Sequence, residues 1–211
     1  MLPISPRDKI AFTPPHLWNE DSASPKPVIW LRPMTLVDRA RWRAALSAVG
    51  SRAVSDAEMA ALRAPILEKL ETTPEEIGAI QALYELGEAA RNEGRALDHE
   101  QQVQLMTVER MLVAADAHYR MMAETRNLYV EVAPLLALQQ QCIGWQNLPH
   151  RTLKDAAGKP VALPFRRVDG RVSDESLEGL DPLTLLLAGF RAIGIGNVSE
   201  SDAKKSEPPS S

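Results

Sequence analysis

The chain has 211 residues, of which 45% are hydrophobic and 25% charged, and its formal net charge is −4. This length and composition predict a single packed core and argue against a wholly disordered chain. The acidic balance provides no general attraction to nucleic acid or to anionic membranes, so we expect neither as a partner.

Residues 1–34 form the first region and are rich in proline. Seven prolines in this region argue against helix, because proline lacks an amide donor and clashes with the preceding turn. Two short apolar runs, at 10–12 and 28–31, flank a polar segment and predict a small β-hairpin. We therefore predict an extended arm over residues 1–34.

Capping signals start helices from residue 35 onwards. Thr35, Ser55 and Thr73 are each followed three residues later by Asp or Glu, the capping-box pattern that satisfies free amides at a helix start. Proline at residue 65 predicts a bend in the second helix, and Gly94 is predicted to end the third.

A single long central helix is predicted from Asp98 to about Val132, ended by Pro134. About 35 residues would span roughly 50 Å. Its apolar side chains recur at alternating steps of three and four, so this face must pack within one bundle or between chains. The residues of the face that we single out as a groove or self-association seam are Leu105, Val108, Met111, Leu112, Ala115, Met122 and Tyr129.

The last third of the chain is predicted to be irregular until one final helix. Turn-forming residues are frequent from Trp145 to Gly170 and predict sparse regular structure. Asp181-Pro182 then combines an N-cap residue with a first-turn proline and starts a helix. Beyond residue 197 the composition is polar and predicts a disordered tail over 198–211.

These elements predict a mainly α fold. We expect a helical bundle with one long central helix over residues 35–197, an N-terminal arm with a short β-hairpin over 1–34, and a disordered C-terminal tail. Four methionines in the long helix suit either irregular core filling, which we favour, or a groove that adapts to varied apolar partners.

The sequence contains no recognisable catalytic motif. Cys142 is the only cysteine, so no intrachain disulfide can form, and its neighbours Gln141 and Ile143 supply no base. Four scattered histidines show no metal-ligand spacing. We therefore expect no enzyme, no metal and no cofactor, and a protein of the cytoplasm without a membrane-spanning segment.

An arginine-rich and tryptophan-rich stretch suggests nucleic-acid binding as one further alternative function. Arg32, Arg39, Arg41 and Arg43 lie close in sequence to two tryptophans, a combination that binds phosphate backbones by pairing and stacking. The alternative that we favour is a solvated helix face whose arginines pair with Asp38 or with neighbouring helices.

Three passages of the sequence, taken together, resemble a known family. The first comprises Ile10-Ala11-Phe12-Thr13-Pro14-Pro15, then 27–33 and the arginine-rich helix at 37–43. The second is Gly144-Trp145-Gln146-Asn147-Leu148 followed by 155–161 and Leu163-Pro164-Phe165, with Asn147 where the family has glycine. The third is the Ser-rich, charged ending at 198–206. The set resembles the tail assembly chaperones of long-tailed, siphovirus-like bacteriophages.

The resemblance implies a cytoplasmic protein of a phage-infected host that binds the tape measure protein and helps to recruit tail tube protein during tail morphogenesis. It also implies that Trp145 and Phe165 fix the region after Pro134. A structural phage subunit, such as a head–tail connector or a tail completion protein, is the alternative function.

Overall fold

The computed structural model describes residues 8–21, 24–93 and 95–203, and its fold is mainly α, as predicted. The described residues contain long helices and short antiparallel strands. The strands are β1 (Ile10–Phe12), β2 (Val28–Leu31), β3 (Cys142–Gln146), β4 (Pro149–Lys154), β5 (Pro160–Ala162), β6 (Arg167–Val168) and β7 (Arg171–Val172). The helices are α1 (Leu36–Ala48), α2 (Asp56–Lys69), α3 (Pro74–Asn92), α4 (His99–Ala115), α5 (Ala117–Gln141), α6 (Asp174–Glu178) and α7 (Pro182–Ala203).

The predicted N-terminal hairpin is confirmed, and it belongs to a larger sheet. Strands β1 and β2 pair antiparallel, with Ile10 opposite Leu31. The other edge of β2 pairs antiparallel with β3, with Leu31 opposite Cys142, so the sheet order is β1-β2-β3. The sheet thus joins residues 10–12 and 28–31 near the start of the chain to residues 142–146, which lie more than a hundred positions later.

The predicted helix starts at Thr35, Ser55 and Thr73 are confirmed. In each case the hydroxyl accepts a hydrogen bond from the amide three residues later, and that residue's carboxylate accepts from the capping residue's amide. Pro65 lies inside α2, so the helix continues through the proline and does not restart there. Gly94 lies outside the described residues.

The prediction of a single long central helix was wrong. The helix breaks at Asp116, whose backbone is extended (φ −140°, ψ 124°), so residues 99–141 form two helices, α4 and α5. The Asp116 carboxylate accepts a hydrogen bond from Tyr119 N at 2.8 Å and thereby caps the start of α5. Pro134 does not end a helix but lies within α5.

The stretch from Trp145 to Gly170 holds more regular structure than we predicted. Two small hairpins, β4–β5 and β6–β7, occupy it together with part of β3. The strands are short and most of their residues are exposed. For that reason they lack the apolar alternation by which a strand is found in a sequence. The short helix α6 was also missed.

The chain divides into two compact units rather than the single helical domain predicted for 35–197. The helical unit is Arg52–Leu128, and the sheet unit comprises the residues before and after it. Each has its own buried core. The core of the helical unit is Val54, Met59, Ile66, Leu67, Leu112, Tyr119 and Met122. The core of the sheet unit includes Ile29, Leu31, Leu138, Cys142, Trp145, Leu148, Val172 and Ala188.

The final helix α7 begins at Pro182 as predicted, but it runs to Ala203. It therefore extends into the range 198–211 that we predicted to be disordered, and residues 204–211 lie outside the described residues. Within the sheet unit α7 packs closely on α5 at Gly189. A Cβ atom at Gly189 would lie less than 3.0 Å from the backbone carbonyl of Pro134.

We predict that Gly189→Ala destabilises the protein by about 1–3 kcal/mol, since the added methyl group overpacks the contact with a rigid backbone. The matched control is Gly194→Ala in the same helix, where nothing lies within 4 Å of the added atom. Alanine's higher helix propensity should make that variant up to about 1 kcal/mol more stable. Urea unfolding of both variants checks this, and equal stability of the two would contradict the packing argument.

Candidate functional site

A cleft of about 940 Å³ lies within the helical unit and is lined by α2, α3, α4 and α5. Its apolar lining includes Met59 and Leu67 of α2, Ile80 of α3, and Leu105 and Val113 of α4. Met59 and Leu67 are almost fully buried, whereas the other three are half-buried. The cleft is therefore a groove with an apolar floor that the helices leave open to solvent.

A polar network interrupts the apolar lining. The Glu109 carboxylate accepts a hydrogen bond from the Tyr84 hydroxyl at 2.6 Å and another from the Tyr119 hydroxyl at 3.1 Å. These residues belong to α4, α3 and α5, so one carboxylate ties three helices together. The Arg63 guanidinium of α2 lies 3.7 Å from the centroid of the Tyr84 ring, a cation–π contact.

Both tyrosines of the network stay protonated. Burial raises the pKa of Tyr84 and of Tyr119, and the negative charge of Glu109 raises each pKa further. A protonated tyrosine can donate, whereas an ionised carboxylate can only accept. The two tyrosines therefore remain hydrogen-bond donors to Glu109.

The helical unit is more acidic than the rest of the chain. Residues 52–128 contain eight Lys and Arg side chains against fourteen Asp and Glu, a formal balance of −6, while the whole chain carries −4. Glu85 and Glu88 line the cleft on the α3 side. Arg126, which also lines it, pairs with Asp56 of α2. The charge of the unit therefore favours a basic partner.

The structure divides the predicted seam among several environments. Leu112 and Met122 are buried in the core of the helical unit, and Val108 packs half-buried against that core. Leu105 lines the cleft, whereas Met111 and Ala115 are exposed. Tyr129 lies in the sheet unit, where its ring meets Trp42 edge-on at 6.5 Å. These residues do not form one stripe, because Asp116 interrupts the helix that would align them.

Trp145 and Phe165 do come together. Their rings pack edge-to-face, with centroids 4.7 Å apart, and the Trp145 indole nitrogen donates a hydrogen bond to the Leu163 carbonyl at 3.0 Å. Trp145 is buried and Phe165 half-buried. The pair therefore anchors the segment before β6 to the sheet, which is a structural role.

The sequence analysis missed the residues that give the cleft its chemistry. The sequence analysis did not single out Arg63 and Glu109, because nothing local in the sequence marks them as neighbours. It did not single out Tyr84 either, which lies on an apolar helix face. One signal was available: a tyrosine on such a face needs a partner for its hydroxyl when it is buried.

A hydroxyl, an imidazole and a carboxylate meet in the sheet unit without the geometry of a catalytic triad. His16 Nε2 lies 3.1 Å from the Thr184 hydroxyl and 3.3 Å from the Asp181 carboxylate, while Thr184 also donates to Asp181. A proton relay uses the two different nitrogens of the histidine ring, one for each partner. Here one nitrogen faces both partners and Thr184 is fully buried. Through these contacts the cluster attaches the N-terminal arm, at His16, to the start of α7.

The arginine-rich stretch is partly neutralised. Arg32 pairs with Asp38 at 2.8 Å. A hollow of about 790 Å³ in the sheet unit sets three arginines beside three carboxylates, so its lining carries no excess of positive charge. These residues are Arg41, Arg166, Arg171, Asp169, Asp174 and Glu175. The balance of charge around the hollow does not favour a phosphate backbone.

Two other functional signals are absent from the described part of the chain. No group of three or more His, Cys, Asp or Glu side chains there could hold a metal ion. None of its helices combines the length and the apolar character needed to cross a bilayer. Comparison of the chain with protein-family models, curated proteins and solved structures found no match.

We predict that Cys142 is inert in the native protein. Burial raises the pKa of its thiol to about 12, and its sulfur lies 3.5 Å from the Gly144 carbonyl oxygen, to which the thiol donates. Because the thiolate is the reactive form, labelling by a disulfide reagent at pH 8 should be slower than in urea-unfolded protein by roughly a hundredfold or more. Equal rates would mean that the thiol is exposed and ionisable.

We also predict opposite outcomes for two seam methionines. Met122→Asp places a carboxylate in the core, where Met122 is only 7% exposed, and should destabilise the protein by roughly 3 kcal/mol or more. Met111→Asp, at a position that is 37% exposed, should change stability by no more than about 0.5 kcal/mol. Chemical unfolding of both variants tests whether the seam is divided in this way.

Proposed function

We propose that this protein is a tail assembly chaperone of a long-tailed phage, acting in the host cytoplasm, and that its cleft holds an amphipathic helix of the tape measure protein. The observation that carries the proposal is the open cleft in the helical unit, with Met59, Leu67 and Ile80 in its apolar lining. No group of His, Cys, Asp or Glu side chains that could hold a metal ion accompanies it in the described residues.

The size of the cleft suits a helix. One turn of an α-helix of about 10 Å diameter occupies roughly 400 Å³. A volume of about 940 Å³ therefore accommodates about two turns. A helix bound in this way contacts the groove with side chains spaced three and four residues apart, which is the usual mode of helix-in-groove recognition.

Three exposed methionines of α4 and α5, none of which lines the cleft, provide further adaptable apolar surface on the helical unit. Met106 and Met121 are more than half exposed, and Met111 is 37% exposed. The unbranched thioether side chain adapts its shape to different neighbours. A tape measure protein presents many similar but non-identical apolar helix faces, which aggregate unless they are covered.

One detail of the sheet unit supports the family resemblance. Asn147 stands where the family has glycine, and its φ is +56°, in the left-handed region that glycine favours and asparagine tolerates. Its side-chain amide donates to the Lys26 carbonyl at 3.0 Å. The substitution therefore keeps the backbone conformation of the turn after Trp145.

Blocking the cleft tests the proposal. Ala64 of α2 is exposed and lines the cleft, so Ala64→Trp should fill the groove without disturbing the core. We predict that the native chain, co-expressed with the tape measure protein encoded beside it, yields a soluble complex and that Ala64→Trp abolishes that complex. Affinity purification followed by sizing of the complex provides the measurement.

The matched control is Ala61→Trp, an exposed position of the same helix that does not line the cleft. This variant should retain the complex. Loss of the complex with both variants would assign the effect to the helix surface and not to the cleft. Absence of any complex with the native chain, together with its recovery in purified virions, would favour the structural subunit.

A further inference from the structure

The cleft contains a carboxylate whose charge its own partners do not neutralise. Glu109 is half-buried and accepts hydrogen bonds from Tyr84 and Tyr119, but both donors are neutral phenols. Among the described residues, no Lys or Arg side chain forms a salt bridge with Glu109. A half-buried carboxylate that has no directly paired cation gains free energy when an incoming cation pairs with it.

The cations that line the cleft are engaged or exposed. The Arg63 guanidinium lies against the Tyr84 ring and also interacts with the Tyr119 hydroxyl, and Arg126 pairs with Asp56. Arg110, next to Glu109 in sequence, is exposed to solvent. With Asp56, Glu85 and Glu88 also in the lining, the cleft has four carboxylates against three arginines, in a unit that carries −6.

We infer that the helix held in the cleft carries a Lys or Arg on its apolar face, and that this cation pairs with Glu109. The inference rests on the proposed function and specifies the chemistry of the partner segment. A Lys or Arg side chain lays its methylene groups on apolar surface and extends its charged end to an acceptor. Met59 and Leu67 provide the apolar surface, and Glu109 provides the acceptor.

Such pairing makes the cleft selective. A purely apolar helix would cover Glu109 and remove the water that solvates its carboxylate. Because such a helix offers no polar group in place of that water, its binding is weakened. A helix with an acidic residue at the same place would meet like charge from Glu109 and from the rest of the unit. The carboxylate therefore rejects segments that the apolar lining alone would accept, which is how polar groups usually provide specificity.

Peptide binding to the full chain tests the inference. Three helical peptides of about 20 residues, long enough to be helical in isolation, share one amphipathic sequence and differ at one central position of the apolar face, which is Lys, Met or Glu. By calorimetry, we expect the Lys peptide to bind the native chain about tenfold more tightly than the Met peptide, and the Glu peptide to bind most weakly.

The variant Glu109→Gln removes the charge but keeps an oxygen that accepts from a tyrosine. It should bind the Lys and Met peptides equally, and circular dichroism should show that it is folded. Glu124→Gln, an exposed position of α5 that does not line the cleft, removes the same charge and should retain the preference for Lys.

The two hypotheses fail differently. Equal binding of the Lys and Met peptides to the native chain would overturn the pairing with Glu109 and leave the cleft as a site for apolar helices. A preference for Lys that persists in Glu109→Gln would also overturn it. Failure of all three peptides to bind the native chain would overturn both the pairing and the cleft as the docking site of the proposed chaperone.

Discussion

The carboxylate of Asp116 accepts a hydrogen bond from the amide of Tyr119, while the Asp116 amide donates to the Leu112 carbonyl at 3.2 Å. One residue thus ends α4 and starts α5, and the helical unit depends on this break. In one straight helix, residues 109 and 119 would lie roughly 15 Å apart along the axis, too far for Glu109 and Tyr119 to meet. The hydrogen bond from Tyr119 N also holds the pKa of Asp116 below its ordinary value, so the capping carboxylate stays ionised beside the positive end of the α5 dipole.

The folded-back helices create a cleft that is both apolar and charged. Tyr84, Glu109 and Tyr119 tie α3, α4 and α5 at one point, which orients the carboxylate before any partner arrives. A preorganised group binds without the entropy loss of ordering it. In the function that we propose, the apolar lining supplies most of the surface for an incoming helix, and the carboxylate supplies selection among apolar helices. A chaperone of the proposed kind needs both properties, because it must accept related segments of one client and refuse other apolar helices of the host.

The sheet unit is organised around close packing rather than around a cleft. Gly189 allows α7 to contact the backbone of α5 at Pro134, and the sheet β1-β2-β3 brings the N-terminal arm against the residues that follow α5. Trp145 is buried in the core of this unit, and its indole nitrogen donates a hydrogen bond to the Leu163 carbonyl. Its chemistry-bearing cluster, His16 with Asp181 and Thr184, lies at the start of α7 and fastens the arm.

Local sequence determined the helix starts, because a capping residue and its partner lie three positions apart and act without the rest of the fold. It also determined the strands at 10–12 and 28–31, the start of α7 and the mainly α class. Asp116 shows where local signals compete: apolar periodicity favoured one helix, and the capping carboxylate with its amide partner favoured two. The candidate site was decided only by tertiary structure. Arg63, Tyr84 and Glu109 are separated by 21 and 25 positions, and no spacing rule for a single helix relates them. They meet because three helices pack with a gap between them, and the position of that gap depends on long-range contacts that residue patterns within one segment do not encode.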